Sequence, residues 1–293
     1  MKGIFNFSFG DSTDMLLLNQ ESFSSKYQLK TKTCLIMEDD IPPVHVSATS
    51  TVKLKQVVER KKITTRFSIP ELSSESDHDV TNKTLQQLQI FTKIDPVIEV
   101  RRDEAGVIKG IANMPEIWEK WEQWKDTSLP ETFPDERMRK EIIKSYEKGL
   151  NLLEETFDRN MQYLLLLPEC YKFTKDEEHE DFGSAKTFNS RFVEKMELLY
   201  RFFKKTFSDE DPIVKIQLGT LSDVEDQEDI LNSYYELYYP DYSSKDYIFD
   251  INVDYTFDKY TSEIIMGKLS LIEQLHPNFI FTIEMELTKQ ENV

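Results

Sequence analysis

The stretch Asp95-Pro-Val-Ile-Glu-Val-Arg-Arg-Asp-Glu-Ala-Gly-Val-Ile-Lys-Gly-Ile-Ala-Asn-Met-Pro-Glu-Ile-Trp-Glu-Lys-Trp-Glu-Gln-Trp-Lys-Asp-Thr-Ser128 changes its period half-way. Pro96 disfavours helix at Asp95 and opens an extended run, Val97 to Arg101. Gly106 supplies the positive φ of a short hairpin, and Val107 to Ala112 returns as the second strand. From Asn113 the apolar spacing becomes helical. Asn113 is a good N-cap residue, Pro115 sits in the first turn, and Glu116 is placed to complete a capping box. Ile117, Trp121 and Trp124 then fall on one helix face, with Trp118 beside them.

All three tryptophans of the chain, Trp118, Trp121 and Trp124, lie in this helix. They could form an aromatic platform for a ligand. The spacing equally suits a core helix that packs its apolar stripe onto the sheet begun by its own hairpin, and aromatic area dominates core energetics. The core reading is preferred.

Outward from this stretch, alternation predicts strands at both ends of the chain. Toward the N-terminus, Tyr27 to Met37, Val44 to Val58 and Ile63 to Ile69 form three runs of an antiparallel meander with one apolar face. Glu71 to Asp79, acidic and serine-rich, reads as an exposed loop. Toward the C-terminus, Tyr247 to Phe257 and Phe279 to Leu287 alternate strictly, with Ile265 to Leu275 between them. Between these ends the pattern is helical. Asp135 to about Leu167 gives one long helix or two broken near Gly149, and Pro168 ends it. Phe188, Phe192, Met196, Leu199, Phe203 and Phe207 mark another amphipathic helix. Ser222 to Tyr239 is ambiguous between helix and strand, with helix favoured. The expected fold is α+β: antiparallel meanders at both ends flanking a helical middle, in stretches 1–129, 130–211 and 212–293, forming one large body or two lobes.

The 293 residues are 39% hydrophobic and 12% aromatic, ample for a packed core. The net charge of −18 opposes nucleic acid and anionic lipid, whose phosphates carry the same sign. Lys53, Lys55, Arg60, Lys61, Lys62 and Arg66 make the one dense basic run, and it straddles an expected turn. The two cysteines, Cys34 and Cys170, imply no disulfide framework. No apolar run is long enough for a signal peptide core or a membrane span. A cytoplasmic protein without membrane insertion is expected.

The search for chemistry is mostly negative. No glycine-rich phosphate loop, nucleophile elbow, Cys-x-x-Cys or His-Glu-x-x-His motif occurs, so neither cofactor nor metal is expected. The acidic run Asp223 to Asp229 lacks the glycine and the terminal glutamate of a calcium loop. Cys34 and His45 fall on polar strand faces that pairing could bring together, an unsupported nucleophile pair. Asp250, Asp254 and Asp258 share one strand face about 13 Å apart, too far for a paired acid and base. With Glu284 and Glu286 they form a candidate acidic surface for a basic partner.

The leading functional reading is a non-catalytic interaction or structural subunit, an adaptor that binds another protein and is compatible with self-association. An acidic inhibitor or immunity protein that captures a basic toxin or nuclease is the alternative. A module holding an apolar ligand against the tryptophan helix is a further one.

Overall fold

Eleven strands join into a single antiparallel sheet, and its central seam is a pairing between the two ends of the chain. The computed structural model describes residues 15–17, 21–37, 41–60, 62–89, 91, 94, 96–174 and 181–290. In chain order these form β1 (Met15–Leu17), β2 (Phe23–Met37), β3 (Val44–Glu59), β4 (Lys62–Ser76), α1 (Asp79–Gln89), β5 (Ile98–Arg102) and β6 (Ile108–Ile111). Next come α2 (Met114–Thr127), α3 (Leu129–Thr132), α4 (Glu136–Asn151), α5 (Leu153–Thr156), α6 (Met161–Leu166) and β7 (Lys172–Thr174). The chain continues through β8 (Asp181–Asn189), β9 (Glu197–Glu210), β10 (Ile213–Ser222), α7 (Glu228–Tyr238), β11 (Ile248–Asp258), β12 (Ile264–His276) and β13 (Phe279–Lys289). The sheet order is β6-β5-β4-β3-β2-β13-β12-β11-β10-β9-β8; β1 and β7 pair separately. Thr31 of β2 pairs with Met285 of β13, and that ladder runs from Tyr27–Lys289 to Met37–Phe279.

This architecture corrects the expectation of two meanders flanking a helical middle. The N-terminal meander is present as β2–β4 and the C-terminal one as β11–β13, but they belong to one sheet. The segment expected to form a helix from Phe188 to Phe207 is the end of β8, a turn and most of β9. Its buried set, Leu198, Tyr200 and Phe202, has period two. Leu199, assigned to a helix core, is instead 51% exposed. The apparent helical spacing is produced by a turn, where Val193 and Met196 are buried, and by the β-bulge of β9 opposite Gln217/Leu218. A second difference concerns residues 71–76, read as loop. They extend β4, with Ser76 opposite Val46, so the backbone ladder holds a segment whose side chains stay mostly in solvent.

The tryptophan hairpin forms largely as read. Gly106 has φ +91°, and Asp103 Oδ1 accepts from the amides of Ala105 and Val107, each at 3.0 Å. Asn113 occupies the N-cap position but makes no capping bond. Its carboxamide is taken by the hairpin strand, donating to Val97 O at 2.7 Å and accepting from Glu99 N at 2.8 Å.

One face of the sheet is covered. Leu29, Leu54, Phe67, Val100, Ile251, Leu271 and Ile283 are among its buried side chains. Leu165 of α6 lies over Gly267, where any Cβ would meet it at 3.0 Å, and Tyr255 donates to Leu164 O at 2.8 Å. Tyr235 of α7 donates to Leu275 O.

Candidate binding face

The opposite face is built from the polar positions of the same alternating strands, and its central rows are exposed. One row crosses five strands as Asp254, Lys268, Glu286, Lys30 and Thr49, and the next as Asn252, Ser270, Glu284, Lys32 and Ser47. Directly opposed side chains in such rows stand roughly 5 Å apart at Cβ. Carboxylate and ammonium groups therefore alternate from β11 to β2. These rows line a groove of about 540 Å³.

Toward β5 the same face changes character. Lys26 is paired with Lys53 and Lys55 with Arg66, two like-charge cross-strand pairs, all four residues exposed. Arg101 stands opposite Thr64 in the adjoining row. Glu99 forms an ion pair with Arg66. A second groove of about 710 Å³ is lined by Lys55, Val57, Glu59, Arg60, Lys62, Thr64, Arg66 and Glu99. The face is thus of mixed sign over β11–β2 and basic over β2–β5, on a chain whose net charge is −18.

The residues singled out in the sequence distribute unevenly over this geometry. Asp254, Glu284 and Glu286 line the first groove. Asp250 is one row further out, with Ile272, Thr282, Cys34 and His45, and accepts from Asn252. Asp258 serves a turn, where its Oδ1 accepts from Tyr260 N at 3.0 Å and Thr261 N at 2.9 Å. The lysines facing these acids, Lys30, Lys32 and Lys268, escaped the sequence reading. Each occupies an ordinary polar slot of its strand, and only the strand register sets them opposite carboxylates. Lys26 and Arg101 joined the basic run for the same reason.

The tryptophans lie elsewhere, inside the helical layer. Trp121 is fully buried and stacks on Tyr146 of α4 with ring centroids 4.2 Å apart; Trp124 packs on Trp121 and Phe91, both at 5.7 Å. Trp118 is partly buried against the same core. Trp121 Nε1 donates to Glu147 at 3.3 Å. Tyr247 and Phe249 fall in another aromatic group, with Phe249 against Phe188 at 4.7 Å and Tyr200 at 5.8 Å.

The buried ionisable groups act as ties between segments. Arg102 donates to Gly106 O at 2.9 Å and to Pro168 O, with its guanidinium 5.0 Å from the Tyr171 ring. Glu273 accepts from Ser190 Oγ at 2.5 Å and from Tyr247 and Arg191 N, each at 2.9 Å; burial raises its carboxyl above the ordinary glutamate value. Glu263 takes Ser25 Oγ, and Lys289 at 2.7 Å. Cys34 and His45 are direct cross-strand partners. Partial burial and the charge of Asp77 push the Cys34 thiol up, opposite to what a thiolate nucleophile needs. Among the described residues, three or more His, Cys, Asp or Glu side chains never gather as a metal site would require. No described helix is long and apolar enough to cross a membrane.

Both outer strands have an amide occupied by a carboxylate: Glu154 takes Ile111 N on β6 at 3.3 Å, and Glu169 takes Ser184 N on β8 at 2.9 Å. No protein family model matches the chain, and no curated protein does. Among solved structures, DynF from the dynemicin biosynthesis pathway of Micromonospora chersina aligns over 100% of this chain and 92% of its own, at 7% identity and a TM-score of 0.21. A superposition that loose carries neither fold nor function across.

Proposed function

We propose that this chain is a non-catalytic binding protein that holds another protein across the open face of its sheet. The observation that carries this reading is the two exposed like-charge cross-strand pairs, Lys26–Lys53 and Lys55–Arg66, of which Arg66 also holds Glu99. Like charges directly opposed in a sheet are unfavourable on their own. Carboxylates of a partner laid over β2–β5 would relieve them, and lysines of the same partner would answer Asp254, Glu284 and Glu286. Such complementarity sets register and encounter rate more than raw affinity. The carboxylates on one amide of β6 and one of β8 partly block those edges, which favours the face over strand addition. The engagement of Arg102, Glu263 and Glu273 in structural bonds supports the non-catalytic part.

A subunit of an assembly and an inhibitor of one partner would use this face alike. They separate on salt: electrostatic capture by an inhibitor slows steeply with ionic strength. The test is a photo-crosslinking residue placed at Lys53 or Glu286, with Arg137 on α4 as control, in the source organism. A discrete heavier adduct from the two face positions and none from Arg137 is expected. Adducts of equal yield at all three positions would sink the proposal.

A further inference from the structure

Helix α7 is apolar on two sides. Its inner side buries Leu231 and Tyr235. The flank beside that buried side, called its outer stripe, carries Ile230, Tyr234, Leu237 and Tyr238, spaced i, i+4, i+7 and i+8, with Tyr234 partly buried against the core. Leu237 is 70% exposed, Tyr238 59% and Ile230 44%. The rings of Tyr234 and Tyr238 lie against each other at 4.9 Å. Single exposed leucines are ordinary, but three large apolar side chains along one helix flank mark a contact surface.

The segment that carries this stripe is strongly acidic, with Lys245 the first basic residue after it. From Ser222 to Ser244 the chain holds Asp223, Glu225, Asp226, Glu228, Asp229, Glu236 and Asp241 and not one lysine or arginine. All seven carboxylates belong to exposed residues. A second copy of this chain would set one such segment against another, each copy bearing −18 overall, so self-pairing through α7 is opposed by charge.

We propose that the outer stripe of α7 docks an amphipathic helix of another protein, with leucine-like residues at its centre and Lys and Arg at its margins. Apolar anchors supply the affinity and the acidic segment selects the sign of the partner, as in helix-in-groove recognition. This site is independent of the open face and is tested separately from it.

The probes are two synthetic helical peptides of one heptad pattern, Leu with Lys and Leu with Glu, followed by fluorescence anisotropy on the full chain. The Leu/Lys peptide should bind and the Leu/Glu peptide should not. The double variant Ile230→Ser with Leu237→Ser, both exposed positions, should keep the native melting temperature and weaken binding about tenfold or more. Asp226→Lys with Asp229→Lys should weaken binding and flatten its salt dependence. Equal binding of Leu/Lys to the native chain and the Ser variant would overturn the proposal, because bulk charge alone would then be the cause. A native dimer in light scattering that the Ser variant dissolves would also overturn it, by making a second copy the occupant.

Discussion

Glu169 stands 3.1 Å from Lys186 with both side chains more than nine-tenths buried, and its other oxygen holds the amide of Ser184 on the outermost strand. A buried pair of this kind is costly to break and cheap to replace as a whole, because one charge left alone in the interior has nothing to offset its lost hydration. Lys186→Met alone should destabilise the protein by about 3–5 kcal/mol in urea denaturation. Adding Glu169→Leu should recover part of that loss. If the double variant is the weaker of the two, the carboxylate matters chiefly through Ser184.

The tryptophan stripe gives a second measurement. Trp121→Ala removes a fully buried ring stacked on Tyr146 and should cost about 3–5 kcal/mol. Trp118→Ala, at a partly buried position, should cost clearly less. The opposite order in thermal melts would show that the stripe is rotated from its described orientation.

On the open face, Lys55→Glu turns a like-charge pair with Arg66 into an attractive one. Stability should rise by a few tenths of a kcal/mol at low salt, with roughly 1 kcal/mol the upper bound for such a cross-strand pair. The gain should fade toward 1 M salt, where the screening length is roughly 3 Å. Under the proposed function the same substitution weakens partner crosslinking, so stability and binding should move in opposite directions.

Gly106 is fixed by conformation and space together. Its φ is +91°, and a Cβ there would meet Pro168 O at 2.5 Å. Gly106→Ala should cost on the order of 1–3 kcal/mol from backbone strain alone, more as Pro168 is pushed off Arg102. An unchanged melting temperature would mean that this turn relaxes freely.

Glu273 sets a pH dependence of unusual sign for a carboxylate. Its folded value lies above the ordinary one because burial penalises the charge. The folded state therefore binds the proton more tightly than the unfolded state does. Its favourable contribution is full below the ordinary glutamate range and is lost as the pH rises through the folded value. Stability of the native chain relative to Glu273→Gln should fall as the pH is raised from acid through that window. A relative gain over the same window would mean that the bonds from Ser190, Arg191 and Tyr247 outweigh burial.

The legible parts of the sequence were those where burial alternates strictly. Phe249, Ile251, Val253, Tyr255 and Phe257 are buried as their spacing requires, and Phe281 to Leu287 likewise. Gly106 and Ile117 were readable for equally local reasons. The β8–β9 region was not, because a turn and a bulge shift the phase of its apolar residues and mimic a helix. Residues 71–76 were not, since a strand held by its backbone ladder needs no apolar stripe. The candidate face was half legible. Its acids stand out along β11 and β13, but the lysines that answer them come from β2 and β12 and take their meaning only from register. The pairing of β2 with β13 leaves no local trace at all.

That pairing has a consequence for how the molecule is made. Residues 23–76 emerge early during synthesis and can form the β2–β3–β4 hairpins by contacts near in sequence, yet β2 must then wait, one side unzipped, for β13. Closure of the longest-range contacts is the slow part of assembling a sheet, and here it falls at the middle of the sheet. Until β13 is made, β2 therefore stands as an open, sticky edge. Fusing residue 290 to residue 23 in a circular permutant would turn that long wait into a hairpin.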